Sequence, residues 1–115
     1  MATTFTKVIL SGSTSGKQIK VAATATAGTT IHTAHATSLD EIWLWAVNSS
    51  TTAVKLTVEW GEATAPDGNL EVTIPGESGY LMVVPGLVLT GSLVVKAFAG
   101  TTNVILVNGY VNRIT

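Results

Sequence analysis

The chain has no cysteine, few charged residues and no long apolar segment. Without cysteine, neither a disulfide framework nor thiolate chemistry is available. Charged residues make up 11% of the chain, less than half of the roughly 25% that is typical. The basic residues are scattered, with no cluster beyond Lys17 and Lys20, whereas binding to nucleic-acid phosphates needs several converging cations. We therefore expect no nucleic-acid partner.

Targeting and membrane-spanning segments are also lacking. The N-terminal segment MATTFTKVIL contains no basic region followed by a long apolar one. No stretch reaches the roughly 18 consecutive apolar residues of a transmembrane helix. We expect a protein that is made and folded in the cytoplasm, is not secreted and has no membrane partner.

What the chain does have is apolar residues with a period of two. In Val54–Trp60 they alternate with Lys55, Thr57 and Glu59, which is typical of a strand with one solvated face. Residues 70–74 repeat the pattern after the turn sequence PDGN, so the two segments predict a hairpin. No segment shows a helical period. Other predicted strands cover residues 5–10, 17–23, 29–35, 41–47, 79–84, 87–90, 93–99 and 103–111.

Together these segments predict an all-β fold, an antiparallel β-sandwich or jelly roll of eight to ten short strands without significant helix. A chain of 115 residues has the size of one domain, here residues 1–115. Residues 1–37 have fewer large apolar side chains and are expected to include an N-terminal arm or an edge strand. Pro75-Gly76 and Pro85-Gly86 predict strand ends or edge positions, because proline lacks the amide donor.

The segment DEIWLWAVN, residues 40–48, has more apolar surface than one face of a strand needs. Ile42, Leu44 and Ala46 form the natural core face, and Trp43 and Trp45 point the other way. A pair of bare tryptophans would approach the largest apolar patch of a typical monomer. We therefore predict a protein interface, whose candidate residues are Trp43, Trp45, Tyr80, Met82, Tyr110 and Phe5.

Two other interpretations of the tryptophans remain open at this point. In one, a thick sandwich buries one of them in the core and a loop half-covers the other. In the other, they form a platform for stacking sugars, with Asp40 or Glu41 as the hydrogen-bonding partner. A second segment with two apolar faces, residues 104–107 near the C-terminus, predicts a strand that is central in its sheet or pairs with another chain.

No residues predict a catalytic, cofactor-binding or metal-binding site. His32 and His35 would lie on opposite faces of an extended segment, which is unsuited to joint metal ligation. Glu59 and Glu71 occupy predicted outward positions of the hairpin, where they pair with Lys55 or are solvated. The segment GSTSG lacks the lysine-threonine ending and the following helix of a phosphate-binding loop. We therefore expect a protein that is not an enzyme and needs no cofactor.

The C-terminal half resembles small β-sandwich virion proteins of tailed bacteriophages. The shared sequence pattern begins with a proline-glycine turn and the motif L-x-L-x-x-G-x-L-x-V-x-A-x-A. A short turn and the motif V-x-L-x-G-Y or V-x-V-x-G-Y follow. Its positions here are Leu87, Leu89, Gly91 (one residue nearer than in the pattern), Leu93, Val95, Ala97, Ala99, Val104, Leu106, Gly109 and Tyr110 (the last two one residue further on than in the pattern). The upstream segment DEIWLWAVNSSTTAVKLTVEWG is also similar, so the likeness covers roughly residues 39–114.

This resemblance implies a structural virion protein, specifically a capsid decoration (cement) protein. Its expected partners are further copies of itself, as a homotrimer, and the phage major capsid protein on the outer surface of the head. Within the same group, the alternatives are a head-fibre or tail-associated module that binds a glycan or receptor, and a tail or connector subunit. The resemblance carries no catalytic signature and assigns no individual binding residues.

Overall fold

The computed structural model describes residues 3–115, so Met1 and Ala2 lie outside the described residues. These residues form nine strands and no helix. The strands are β1 (Phe5–Val8), β2 (Ile19–Lys20), β3 (Thr29–Thr33), β4 (Leu39–Asn48), β5 (Val54–Trp60), β6 (Asn69–Ile74), β7 (Leu81–Leu89), β8 (Val94–Ala99) and β9 (Ile105–Ile114).

The strands form two antiparallel sheets. Sheet A has the order β1-β9-β4-β7, and β2 also pairs with β9; sheet B has the order β3-β8-β5-β6. The predicted all-β sandwich is confirmed. The C-terminal strand β9 lies inside sheet A between β1 and β4, which is one of the two arrangements expected for a strand with two apolar faces.

A single aliphatic core fills the space between the sheets. Sheet A contributes Ile42, Leu44 and Ala46 to it, and sheet B contributes residues such as Leu56 and Val58, all of them buried. No aromatic side chain among the described residues is part of the fully buried core; Trp60 packs against it from one side. Every other residue of β4 therefore points away from the core.

Local structure follows the sequence pattern in most places. The hairpin of β5 and β6 is present, and its turn is closed by the Asn69 amide donating to the Pro66 carbonyl at 3.0 Å. Pro75 follows the last residue of β6, which is the expected strand end. In the N-terminal third, β1 and β3 are edge strands of sheets A and B, whereas β2 covers only two residues of the predicted 17–23.

Strand β7 differs from the prediction. Two strands, 79–84 and 87–90, were expected on either side of Pro85-Gly86, but β7 runs through both from Leu81 to Leu89. β7 is an edge strand, so Pro85 has an open side where no amide donor is needed. Register shifts against β4 beside Trp43 and Trp45 accommodate the irregular backbone at this point.

Candidate functional site

The outward face of sheet A is assembled by strand alternation and register. Because the even-numbered residues of β4 enter the core, its odd-numbered residues face outward together with their direct partners on neighbouring strands. We call this surface the outer face of sheet A. Its side chains are Phe5, Lys7, Lys20, Leu39, Glu41, Trp43, Trp45, Val47, Met82, Pro85, Val88, Leu106, Asn108, Tyr110, Asn112 and Ile114.

Three aromatic rings form the centre of this face. Trp43, Trp45 and Tyr110 stack on one another, with ring centroids 6.1–6.4 Å apart and interplanar angles of 17–26°. All three are half-buried. The Lys7 ammonium lies 4.8 Å from the centroid of the Tyr110 ring, in cation–π distance. These aromatic side chains support one another laterally and leave part of their surface open.

Trp43 is held in place on two sides. Its indole Nε1 donates to Glu41 Oε1 at 2.8 Å. Its benzene ring lies over Gly86 of β7, where a Cβ atom would come within 2.6 Å of Trp43 Cζ2. Gly86 also has a positive φ of 77°, so glycine is required there both for conformation and for space. The neighbouring strand therefore leaves a gap that the indole fills.

One end of the outer face contains a cleft of about 340 Å³. Its walls are formed by Gly16, Trp45, Tyr80, Asn108, Gly109 and Tyr110. The Tyr80 hydroxyl donates to Gln18 Oε1 at 2.7 Å, which connects the segment before β7 to the segment before β2. We call this region the pocket end of the outer face.

The opposite end of the outer face is almost entirely apolar. Phe5, Ile114 and Leu39 are aligned side by side across β1, β9 and β4, and Val88 lies one step along, opposite Glu41. Phe5 is 63% exposed, Leu39 43% and Val88 47%. We call this region, Phe5, Leu39, Val88 and Ile114, the apolar end. All four side chains are apolar, and three of them are exposed to solvent in the single chain.

All six predicted interface residues lie on the same side of the molecule. Phe5, Trp43, Trp45, Met82 and Tyr110 belong to the outer face of sheet A, and Tyr80 lines its cleft. Neither tryptophan is a core residue. Sequence reasoning missed Leu39, Ile114 and Asn108, although the period of two in β9 places Asn108 on the same face as Tyr110.

A separate buried cluster joins the two sheets through Asp40. Asp40 accepts from Arg113 Nε at 2.7 Å, from His32 Nε2 at 2.8 Å and from the His35 amide at 3.1 Å. The Ser11 amide donates to His32 Nδ1, so the ring proton lies on Nε2 and points at the carboxylate. His32 comes from sheet B, whereas Asp40 and Arg113 come from sheet A. The cluster therefore ties the sandwich together at one corner.

Electrostatics hold the Asp40 carboxyl in its ionised form. Burial by itself would raise its pKa, but the hydrogen bonds from Arg113 and His32 outweigh burial and lower the pKa from 3.8 to about 2. The same contact raises the pKa of Arg113. Since Asp40 points into the molecule, it is not available to a ligand on the tryptophan face, contrary to one interpretation of the sequence.

The expectation for Glu59 was wrong. It points outward from sheet B as predicted but is 1% exposed, because the segment around residues 26–28 covers it. The Gly28 amide donates to Glu59 Oε1 at 2.7 Å, and the Thr26 hydroxyl donates to Oε2 at 2.9 Å. Lys55 pairs instead with Glu71, at 3.1 Å on the surface. Glu59 is therefore a structural anchor for a neighbouring segment.

The histidines are each engaged within the fold. His35 Nδ1 accepts from the amides of Thr37 and Ser38, at 3.1 and 2.9 Å, while His32 is occupied by Asp40. Among residues 3–115, no three acidic or histidine side chains come together in a group that could hold a metal ion. The same residues include no helix that is long and apolar enough to cross a membrane.

The sequence matches no protein-family model and no curated protein, and the fold matches no solved structure.

Proposed function

We propose that the protein is a non-enzymatic structural component of a phage virion, a capsid decoration protein that assembles as a homotrimer and binds the outer surface of the head. One observation carries the proposal: the outer face of sheet A holds several large apolar side chains that its own chain leaves exposed, among them Phe5, Leu39 and Val88. The resemblance of residues 39–114 to phage virion sandwiches supplies the kind of assembly.

The apolar end is the surface that we expect to dock against a neighbouring subunit. Burying a leucine, valine or phenylalanine completely is worth about 1.5–3 kcal/mol. Since Phe5, Leu39 and Val88 are each roughly half exposed, covering all three contributes about 2–4 kcal/mol per contact before the costs of association. Repetition of the contact around a closed ring multiplies this gain.

The mechanism of such a protein is mechanical. A subunit that binds only the assembled shell adds its binding free energy to that state and so resists disassembly. Apolar contacts suit this role, because salt screens the attraction between charges but has little effect on contacts between uncharged groups. Residues of the apolar end carry no charge, so the interaction is expected to persist at high ionic strength.

Co-sedimentation with phage heads tests the proposal. Heads assembled from the major capsid protein encoded with this chain are mixed with the wild-type protein and with the double variant Phe5→Ser/Leu39→Ser. The wild type is expected to sediment with the heads in low and high salt, and the double variant to remain in the supernatant. The matched control is Lys55→Ser, a surface change on sheet B that should leave sedimentation intact.

Two outcomes would contradict the proposal. If the wild type remains in the supernatant with intact heads, the protein does not decorate them. If it forms open-centred rings that bind isolated tails or connectors, the tail or connector alternative takes the place of decoration.

A further inference from the structure

We propose that the pocket end of the outer face is a binding site for a neutral sugar ring. This site goes beyond the docking surface and does not depend on it. Leu39 in the apolar end and Trp45 in the cleft are six residues apart on one strand, which is about 20 Å at the usual rise. A copy docked through the apolar end can therefore still present the cleft.

The size and charge of the cleft set the class of ligand. Its volume of about 340 Å³ falls at the lower end of the roughly 300–1,000 Å³ range of small-molecule sites. Its six lining residues include no charged side chain. A charged ligand would lose its hydration there without a charged lining residue as its counter-ion, which is costly. A small and uncharged ligand suits the cleft best.

The aromatic wall adds a preference for a ring with an apolar face. The rings of Trp45 and Tyr110 stack on each other, with centroids 6.1 Å apart and planes at an angle of 26°, so together they form one aromatic wall. Pyranose sugars carry C–H groups on one face and hydroxyl groups around the rim. The C–H face can pack on the aromatic wall while the rim stays near polar groups.

Polar groups with unused hydrogen-bonding capacity lie around this wall. Among residues 3–115, the indole N–H of Trp45, the side-chain NH₂ of Asn108 and the hydroxyl of Tyr110 have no hydrogen-bonding partner. The only buried side-chain nitrogen or oxygen without a partner in this part of the chain is Asn69 Oδ1. The three groups belong to residues that line the cleft and are open to solvent, so they are free to bind hydroxyl groups.

Acceptors are present as well as donors. The Tyr80 hydroxyl gives its proton to Gln18, so its lone pairs remain free to accept from a sugar hydroxyl. Both carboxylates of β4 are already engaged, Glu41 by the Trp43 indole and Asp40 by Arg113 and His32. Recognition would accordingly depend on amide, indole and phenol groups, which suits an uncharged sugar.

Nuclear magnetic resonance reads the proposed contacts directly. The probes are the methyl pyranosides of glucose, galactose, mannose and N-acetylglucosamine, added separately at millimolar concentration to the uniformly ¹⁵N-labelled full chain. At least one is expected to shift the Trp45 indole N–H and Asn108 side-chain NH₂ signals in a saturable way. The Trp43 indole N–H, bonded to Glu41, should move less. Sorbitol, which has the hydroxyl groups without the ring, is the control.

Variants separate a built site from general surface contact. Asn108→Ala should weaken the binding about three- to tenfold, the effect expected from one lost hydrogen bond, and Trp45→Ala should abolish it. Asn112→Ala, on the same strand and face but outside the cleft, should bind like the wild type. Circular dichroism checks that each variant is folded; if Trp45→Ala is not, Trp45→Phe replaces it and should bind more weakly than the wild type.

The proposal is overturned if no pyranoside shifts these signals, if sorbitol shifts them equally, or if Asn108→Ala and Asn112→Ala behave alike. None of these results bears on head binding, which is measured with Phe5 and Leu39. Conversely, failure to sediment with heads leaves sugar binding to be judged by its own shifts.

Discussion

The two sheets differ in the polarity of their outward residues and in whether the chain itself covers them. On sheet B the outward positions of β5 are polar, and the chain covers Glu59 with its own segment around residues 26–28. On sheet A the outward positions of β4 include two tryptophans and Leu39, and they remain partly or largely open. The protein thus buries polar groups on one side and leaves apolar groups exposed on the other.

This contrast is the basis for proposing the outer face of sheet A as a binding surface. Covering Glu59 requires hydrogen bonds to its carboxylate, and residues 26–28 supply them within the chain. Covering the apolar face needs only shape and apolar area, which a second molecule can supply. The uncovered face is therefore the surface that we propose for assembly. The following variants are designed to break or sharpen the contrast.

The largest effect is expected at Gly109, where the backbones of β9 and β4 meet beneath the aromatic rings. A Cβ at this position would overlap the carbonyl oxygen of Trp43, and φ is 154°. Gly109→Ala should reduce the free energy of unfolding by about 3 kcal/mol, measured by urea denaturation. Gly91→Ala is the control: φ is 71° but no atom lies near the new methyl, so a loss of about 1 kcal/mol is expected. Equal losses would show that overlap with Trp43 is unimportant.

The next largest loss of stability is expected on sheet B, where residues 26–28 would lose their hydrogen bonds to Glu59. Glu59→Ala removes the acceptor for the Gly28 amide and the Thr26 hydroxyl and should cost about 2–3 kcal/mol in urea denaturation. Amide exchange of Gly28 should become much faster in the variant. Glu71→Ala, which breaks only the exposed pair with Lys55, should cost about 0.5 kcal/mol or less. Unchanged protection of Gly28 in Glu59→Ala would refute the anchoring role.

The corner that joins both sheets should give stability a specific dependence on pH. The pKa of Asp40 is about 2 in the folded protein and about 3.9 when unfolded, so its contribution is fully present above pH 4 and is lost as the pH falls through 2. The contribution is about 2 kcal/mol. Unfolding of the wild type and Asp40→Asn, measured between pH 2 and 7, should show a difference that shrinks by this amount on acidification. A constant difference would contradict the assignment.

The smallest effect on stability is expected at the open face itself. Leu39→Ser and Phe5→Ser change exposed side chains, so each should alter the free energy of unfolding by about 0.5 kcal/mol or less. Association, measured by light scattering, should nevertheless be lost. A large loss of stability together with unchanged association would mean that these side chains serve the fold of the single chain and not a partner.

Alternation along single strands predicted much of this arrangement. The pattern of β4 is sufficient to separate the core residues Ile42, Leu44 and Ala46 from the outward tryptophans, because strand geometry fixes which side each residue faces. The candidate interface residues follow from the same rule. Pro85 was expected at a strand end or an edge position, and it lies in the edge strand β7.

Contacts between distant segments were beyond such a prediction. Alternation gives the direction of Glu59 correctly. However, Thr26 and Gly28, which cover its side chain, precede it in the chain by 33 and 31 positions. Likewise, Asp40 meets Arg113 across 73 positions, and only the register of β4 against β9 brings them together. The cleft is formed by four separate segments, around Gly16, Trp45, Tyr80 and Asn108, so no single stretch of sequence predicts it.

The central claim, that the open face of sheet A is a surface for assembly, is tested most directly by the molar mass in solution. Light scattering after size-exclusion chromatography, at low micromolar concentration in low and high salt, compares the wild type with Phe5→Ser/Leu39→Ser. The account predicts a wild-type mass near three times 11.9 kDa that does not change with salt, and a monomeric double variant. A wild-type monomer of 11.9 kDa in both conditions would contradict it.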